Sequence, residues 1–153
     1  MKSFILFFLL LLSAILIYPQ SNWSGLKQTN IDVNSTVTVS FDIFTNRYGS
    51  HIIREGSTSL VYYRINTNGE ITASSLLDNA TSYISSPSIC GDENNIYVVY
   101  RESNENNVKV KYSTNGGANW NFLASVSPAI SVNSLESVFS KNKLHIVYEL
   151  NGK

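Results

Sequence analysis

Cysteine, charge and helical patterning are all scarce in this chain of 153 residues. Its one cysteine, Cys90, has no partner within the chain, so an internal disulfide is excluded and stability must come from packing or from metal. Cys90 follows Ile89 in an apolar stretch, the setting of a buried structural thiol rather than a reactive one. Eleven basic and eleven acidic residues balance to zero net charge. Because they are scattered singly, there is no footprint for nucleic acid or for an anionic membrane. After residue 21 there is no amphipathic helical stretch, and the abundance of Ser, Asn, Thr, Tyr and Ile suits strands and turns. The two histidines, His51 and His145, are too isolated to form a metal site. No helix-borne His pair, Gly-rich phosphate loop, nucleophile elbow or Cys-x-x-Cys occurs, so no cofactor is expected.

The chain has one long hydrophobic run. Met1-Lys2-Ser3 is followed by apolar residues from Phe4 to Tyr18, broken only by Ser13. The run falls short of the ~20 residues a spanning helix needs, and no basic flank follows it. Residues 1–21 therefore read as a secretory signal peptide ending at the polar Pro19-Gln20-Ser21. The expected location is outside the cytoplasm, secreted or on the exterior of the cell envelope, with no stable membrane span after signal removal. Asn22-Trp23-Ser24, Asn34-Ser35-Thr36 and Asn79-Ala80-Thr81 fit the glycosylation acceptor pattern, which matters only in a eukaryotic secretory host.

The remainder repeats itself. Arg54-Glu55 recurs as Arg101-Glu102 and Thr67-Asn68-Gly69 as Thr114-Asn115-Gly116, both at a shift of 47, since 102 − 55 = 47 and 115 − 68 = 47. Val61, Tyr63 and Ile65 map by the same shift onto Val108, Val110 and Tyr112. A third copy begins at His145-Ile146-Val147-Tyr148-Glu149, which matches Tyr97 to Tyr100 and its acidic neighbour. Asn22-Trp23-Ser24-Gly25-Leu26 matches Asn119-Trp120-Asn121-Phe122-Leu123, which places an outer strand in residues 22–30.

Alternation and turn signals predict four strands per unit. The first unit, within residues 31–77, would use Val37 to Phe41, Ser50 to Glu55, Leu60 to Ile65 and a weak outer strand near Ile71. The second, residues 84–124, would use Ile84 to Cys90, Asn95 to Arg101, Val108 to Tyr112 and Trp120 to Ala124. A third, incomplete unit within 130–153 supplies Glu136 to Ser140 and Lys143 to Leu150. Turns are expected at Asn68-Gly69, Gly91 to Asn94 and Asn115-Gly116-Gly117.

The turn that follows Val108 to Tyr112 is the most specific signal. Ser113, Asn115, Gly117 and Trp120 stand in the order Ser-x-Asn-x-Gly-x-x-Trp. This resembles the Asp-box of the bacterial neuraminidase repeat family, with Asn115 where that family usually has Asp and Asn119 where it often has Thr. Asn68-Gly69 is a degenerate counterpart. The resemblance implies an all-β fold of β-propeller blades, each of four antiparallel strands, here an incomplete propeller of about two and a half blades after a signal peptide. It implies a structural role for the box residues and leaves activity open.

Two functional readings follow. The first is an exported, non-catalytic recognition or scaffold module for a glycan or an extracellular protein, with Arg54, Glu55, Arg101 and Glu102 as ligand-contact candidates. A chain not extended beyond Lys153 is expected to self-associate through unpaired strand edges. The alternative is the N-terminal part of an exo-α-sialidase-like glycoside hydrolase. Tyr63-Arg64-Ile65-Asn66 is similar to that family's substrate-gripping Phe/Tyr-Arg-Ile-Pro motif, with Asp92 downstream, although Asn66 breaks the motif at its proline. Arg64 is equally the polar member of an alternating strand, and Asp92 a turn residue. No catalytic residue is assigned.

Overall fold

The computed structural model describes residues 40–81, 83–103, 107–128 and 132–150. The signal peptide expected at 1–21, the strand expected at 22–30 and the start of the strand expected from Val37 lie outside the described residues. Ten strands make up the described chain: β1 Phe41–Asn46, β2 Gly49–Glu55, β3 Ser59–Ile65, β4 Ile71–Asn79, β5 Ile84–Gly91, β6 Ile96–Glu102, β7 Asn107–Ser113, β8 Asn121–Val126, β9 Val132–Ser140 and β10 Lys143–Leu150. Three separate antiparallel sheets result, ordered β1-β2-β3-β4, β5-β6-β7-β8 and β9-β10.

Three strands depart from expectation; β9 begins at Val132, four residues before the expected Glu136, where it pairs with Leu150. The first strand runs from Phe41 to Asn46 because Arg47-Tyr48 turns the chain. That turn carries no Gly or Pro at its centre; instead Asn46 Oδ1 accepts the Tyr48 amide at 2.9 Å, an Asx-turn. The outer strand near Ile71 is a full nine residues. Its pattern is weak because it packs through one buried side chain, Leu77, and takes its regularity from the ladder with β3.

The three sheets lie one on another in a fixed sense. Contacts from Asp42 to Ile89, from Asn46 to Asp92 and from Arg47 to Glu93 all advance together, so β1 and β5 run in the same direction. Tyr62 of β3 meets Gly116 in the turn that follows β7. The strand order is therefore also the same in both sheets, and the front of the first sheet packs on the back of the second. One core is formed there by Ile53, Leu60, Tyr62 and Leu77 against Ile84, Ile89, Ile96, Val98 and Tyr100. The front of the second sheet packs on the third through Val99, Val108 and Val110 against Val132 and Leu135.

This stacking corrects the equivalence of residues between repeats. The hairpin register does follow the 47-residue shift: Ile52 pairs with Tyr63 and Val99 with Val110. The faces do not. Front-pointing Asp42 corresponds to front-pointing Ser88, and Tyr62 to Val110, so the shifts are 88 − 42 = 46 and 110 − 62 = 48. The turn between Arg101 and Val108 is two residues longer than that between Glu55 and Leu60, and a slip of one residue exchanges the faces of a strand.

Candidate functional site

Ser113, Asn115 and Gly117 close the turn between β7 and β8 on itself. Ser113 is fully buried; its hydroxyl donates to Asn115 Oδ1 at 2.9 Å and accepts the amides of Asn115 at 3.3 Å and Gly117 at 2.9 Å. Asn115 Oδ1 also accepts the Asn119 amide at 2.9 Å. An asparagine thus does here what a carboxylate would do, because both functions are those of an acceptor oxygen. Trp120 precedes β8, half-buried, with its indole N–H donating to Gly117 O at 3.1 Å and its ring edge-on to Tyr62 at 4.9 Å. The turn is consequently a clasp between the first two sheets. In the first sheet the corresponding turn is organised by the side chain of Asn66, which accepts the amides of Asn68 and Glu70 at 3.0 Å. Gly69 supplies a positive φ of 81° there.

Beside this clasp lies a cleft of about 300 Å³ lined by Tyr48, His51, Arg64, Glu93, Asn94, Asn115 and Gly116. His51 is 1% exposed, with Nδ1 2.7 Å from the Tyr62 hydroxyl and Nε2 unpartnered. Burial, reinforced by the Arg64 charge, lowers its pKa to about 4, and burial raises that of Tyr62 to about 12. The pair is thus neutral around pH 7. Arg64 donates to Thr72 Oγ1 at 3.1 Å and across the interface to Gly116 O at 3.3 Å. Asp92 accepts the amides of Asn94 and Asn95, and the Asn95 bond is the main reason its pKa is lowered. The structure does not bring Arg64 and Asp92 together on a common ligand position. Among the described residues one tyrosine–carboxylate hydrogen bond is seen, Tyr100 to Asp78, but that tyrosine is fully buried and burial pushes its pKa upward. A nucleophile needs the opposite shift.

The charged residues of the repeated dipeptides do not converge. Arg54 pairs across the ladder with Phe41 and Val61 on the back of the first sheet, whereas Arg101 pairs with Val108 on the front of the second. Glu55 is buried on the front of the first sheet and accepts the Ser40 amide at 3.2 Å; Glu102 is buried on the back of the second beside Lys109. Among the described residues no three His, Cys, Asp or Glu side chains are grouped as metal ligands.

A second concavity was not foreseen. The strands β1, β5 and β9 lie side by side and enclose about 260 Å³ between Ser40, Phe41, Asp42, Ser86, Pro87, Ser134, Leu135 and Glu136. They are tied together in series: Asp42 Oδ2 accepts the Ile89 amide at 2.8 Å, and Ser88 Oγ accepts the Ser137 amide at 3.0 Å. Ser86, at a φ of 51°, and Pro87 form a bulge that interrupts β5 pairing. A Ser-Pro inside an apolar strand is the sequence signal that could have marked this point. The groove presents hydroxyls, one exposed carboxylate at Glu136 and the 65% exposed ring of Phe41, a set suited to a polar ligand with one apolar face. Comparison with protein-family models, curated proteins and solved structures gives no match.

Proposed function

We propose that the chain supplies successive blades of an exported Asp-box β-propeller, a non-catalytic recognition or scaffold module that takes a glycan or a protein loop in the groove along β1, β5 and β9. The supporting observation is how the polar side chains are used. Arg64, Asp92, His51, Tyr62 and the turn of Ser113 and Asn115 all direct their hydrogen bonds into the fold, within their own turns or across to the neighbouring sheet. The groove residues Ser40, Ser86, Ser134 and Glu136 come from three different sheets or their flanks and face one concavity. Front-to-back stacking of four-stranded meanders is the arrangement of propeller blades, whose first strands line a shared channel.

The test is a glycan array and an NMR titration of the full chain, with Ser134→Trp to fill the groove and a fluorogenic sialoside to detect hydrolysis. Binding that Ser134→Trp removes, with no turnover, supports the module. Turnover that Arg64→Ala abolishes would establish the hydrolase instead.

A further inference from the structure

We propose that copies of this chain associate head to tail, the front of the third sheet of one copy seating on the back of the first sheet of the next. The molecule makes this kind of contact twice internally, first sheet on second and second on third. Among the described residues one back and one front of the same kind lie at opposite ends of the stack. The back of the first sheet exposes Phe41, Ile43 and Leu76 around a buried Ile52 and half-buried Val61 and Tyr63. Ile43 is 49% exposed and Leu76 61%. The corresponding residue of the second sheet, Ile89, is 4% exposed because the first sheet lies over it. The front of the third sheet offers Val138 at 54% and Val147 at 69% exposure, on one face with Glu136.

The hydrogen-bond series identifies the occupant. Within the molecule a front-pointing acceptor on one first strand takes an amide of the next: Asp42 takes that of Ile89, and Ser88 that of Ser137. The next member of the acceptor series is Glu136, since Ile89 to Ser137 and Ser88 to Glu136 are both shifts of 48. Its carboxylate is exposed at the end of the stack. The amide that precedes the series is that of Ile43, capped locally by Asp42 Oδ1 at 2.8 Å. A second copy therefore brings both halves of the missing contact, an apolar front with its acceptor and an apolar back with its amide. A back-to-back dimer would bury the apolar residues but leave Glu136 without an amide. Zero net charge imposes no repulsion between copies. Such a heterologous contact grows into a ring where its rotation closes and a filament where it does not.

The experiment uses the full chain in a mild detergent, so that the apolar segment 4–18 does not drive association, on a Cys90→Ala background. Ile43→Cys and Glu136→Cys are oxidised separately and as a mixture. Disulfide-linked dimer dominant in the mixture, together with a sedimentation boundary that Leu76→Asp shifts to monomer while circular dichroism is unchanged, is the expected result. Cross-linking of Ile43→Cys with itself alone, or a chain that sediments as monomer at every concentration, overturns the proposal. Neither result depends on whether the groove binds a glycan.

Discussion

Adjacent glycines in the β7–β8 turn provide a matched test of the clasp between the first two sheets. Gly116 and Gly117 both have positive φ, 64° and 84°. Alanine at either position meets a left-handed backbone cost of about 1–2 kcal/mol. At Gly116 the added Cβ has open space, its nearest neighbour being Arg64 Nη1 at 4.0 Å. At Gly117 it would lie 2.0 Å from the Tyr62 hydroxyl oxygen and 2.5 Å from its Cζ. Tyr62 cannot yield freely, because it is fully buried, bonded to His51 and packed on Trp120. Displacing it adds an overpacking cost of about 1–3 kcal/mol. Gly117→Ala should therefore destabilise by about 2–5 kcal/mol, and Gly116→Ala by no more than about 2. Urea denaturation followed by far-UV circular dichroism reads the difference as a shift in midpoint at constant slope. Tyr62→Val, which installs the residue found at the equivalent Val110, should rescue Gly117→Ala by about 2 kcal/mol in a double-mutant cycle. Equal losses at the two glycines, or no coupling to Tyr62, would refute the reasoning.

Other outcomes follow from the same geometry. His51 has a folded pKa near 4 against about 6.5 unfolded, so between these values the unfolded chain binds the extra proton. Its contribution is full above about pH 6.5 and is lost as pH falls toward 4, up to about 3 kcal/mol, and His51→Gln should flatten that part of a stability-versus-pH curve. Ser113→Ala leaves the Asn115 and Gly117 amides without their acceptor and should cost about 1–3 kcal/mol by denaturation. Trp120→Ala, for which the sequence alone implies a core-like loss of about 3–5 kcal/mol, should cost about 2–3, because the indole is only half-buried. A loss as small as about 0.5 kcal/mol would show that the ring does not anchor the turn.

Much of the local structure was legible in the chain. Alternation in Val108 to Tyr112 and the polar Ser113 to Gly117 stretch marked a strand and its turn, since both depend on side-chain period and on residues that tolerate positive φ. The repeat at 47 residues announced two like sheets, and their hairpin registers obey it. What self-comparison could not distinguish was 46 on one strand and 48 on the next, whose average it reports. That distinction is tertiary: side chains alternate faces, so a difference of one residue decides whether Arg54 and Arg101 look the same way, and they do not. The groove along β1, β5 and β9 likewise exists only where Asp42, Ser86 and Glu136, nearly fifty residues apart in sequence, are brought side by side. The sequence by itself determined most of the described strands, the closed turn and the two like four-stranded sheets. Only the packing of front on back decided which polar groups are sealed between sheets, where the loss of water forces them to pair, and which are left facing a concavity.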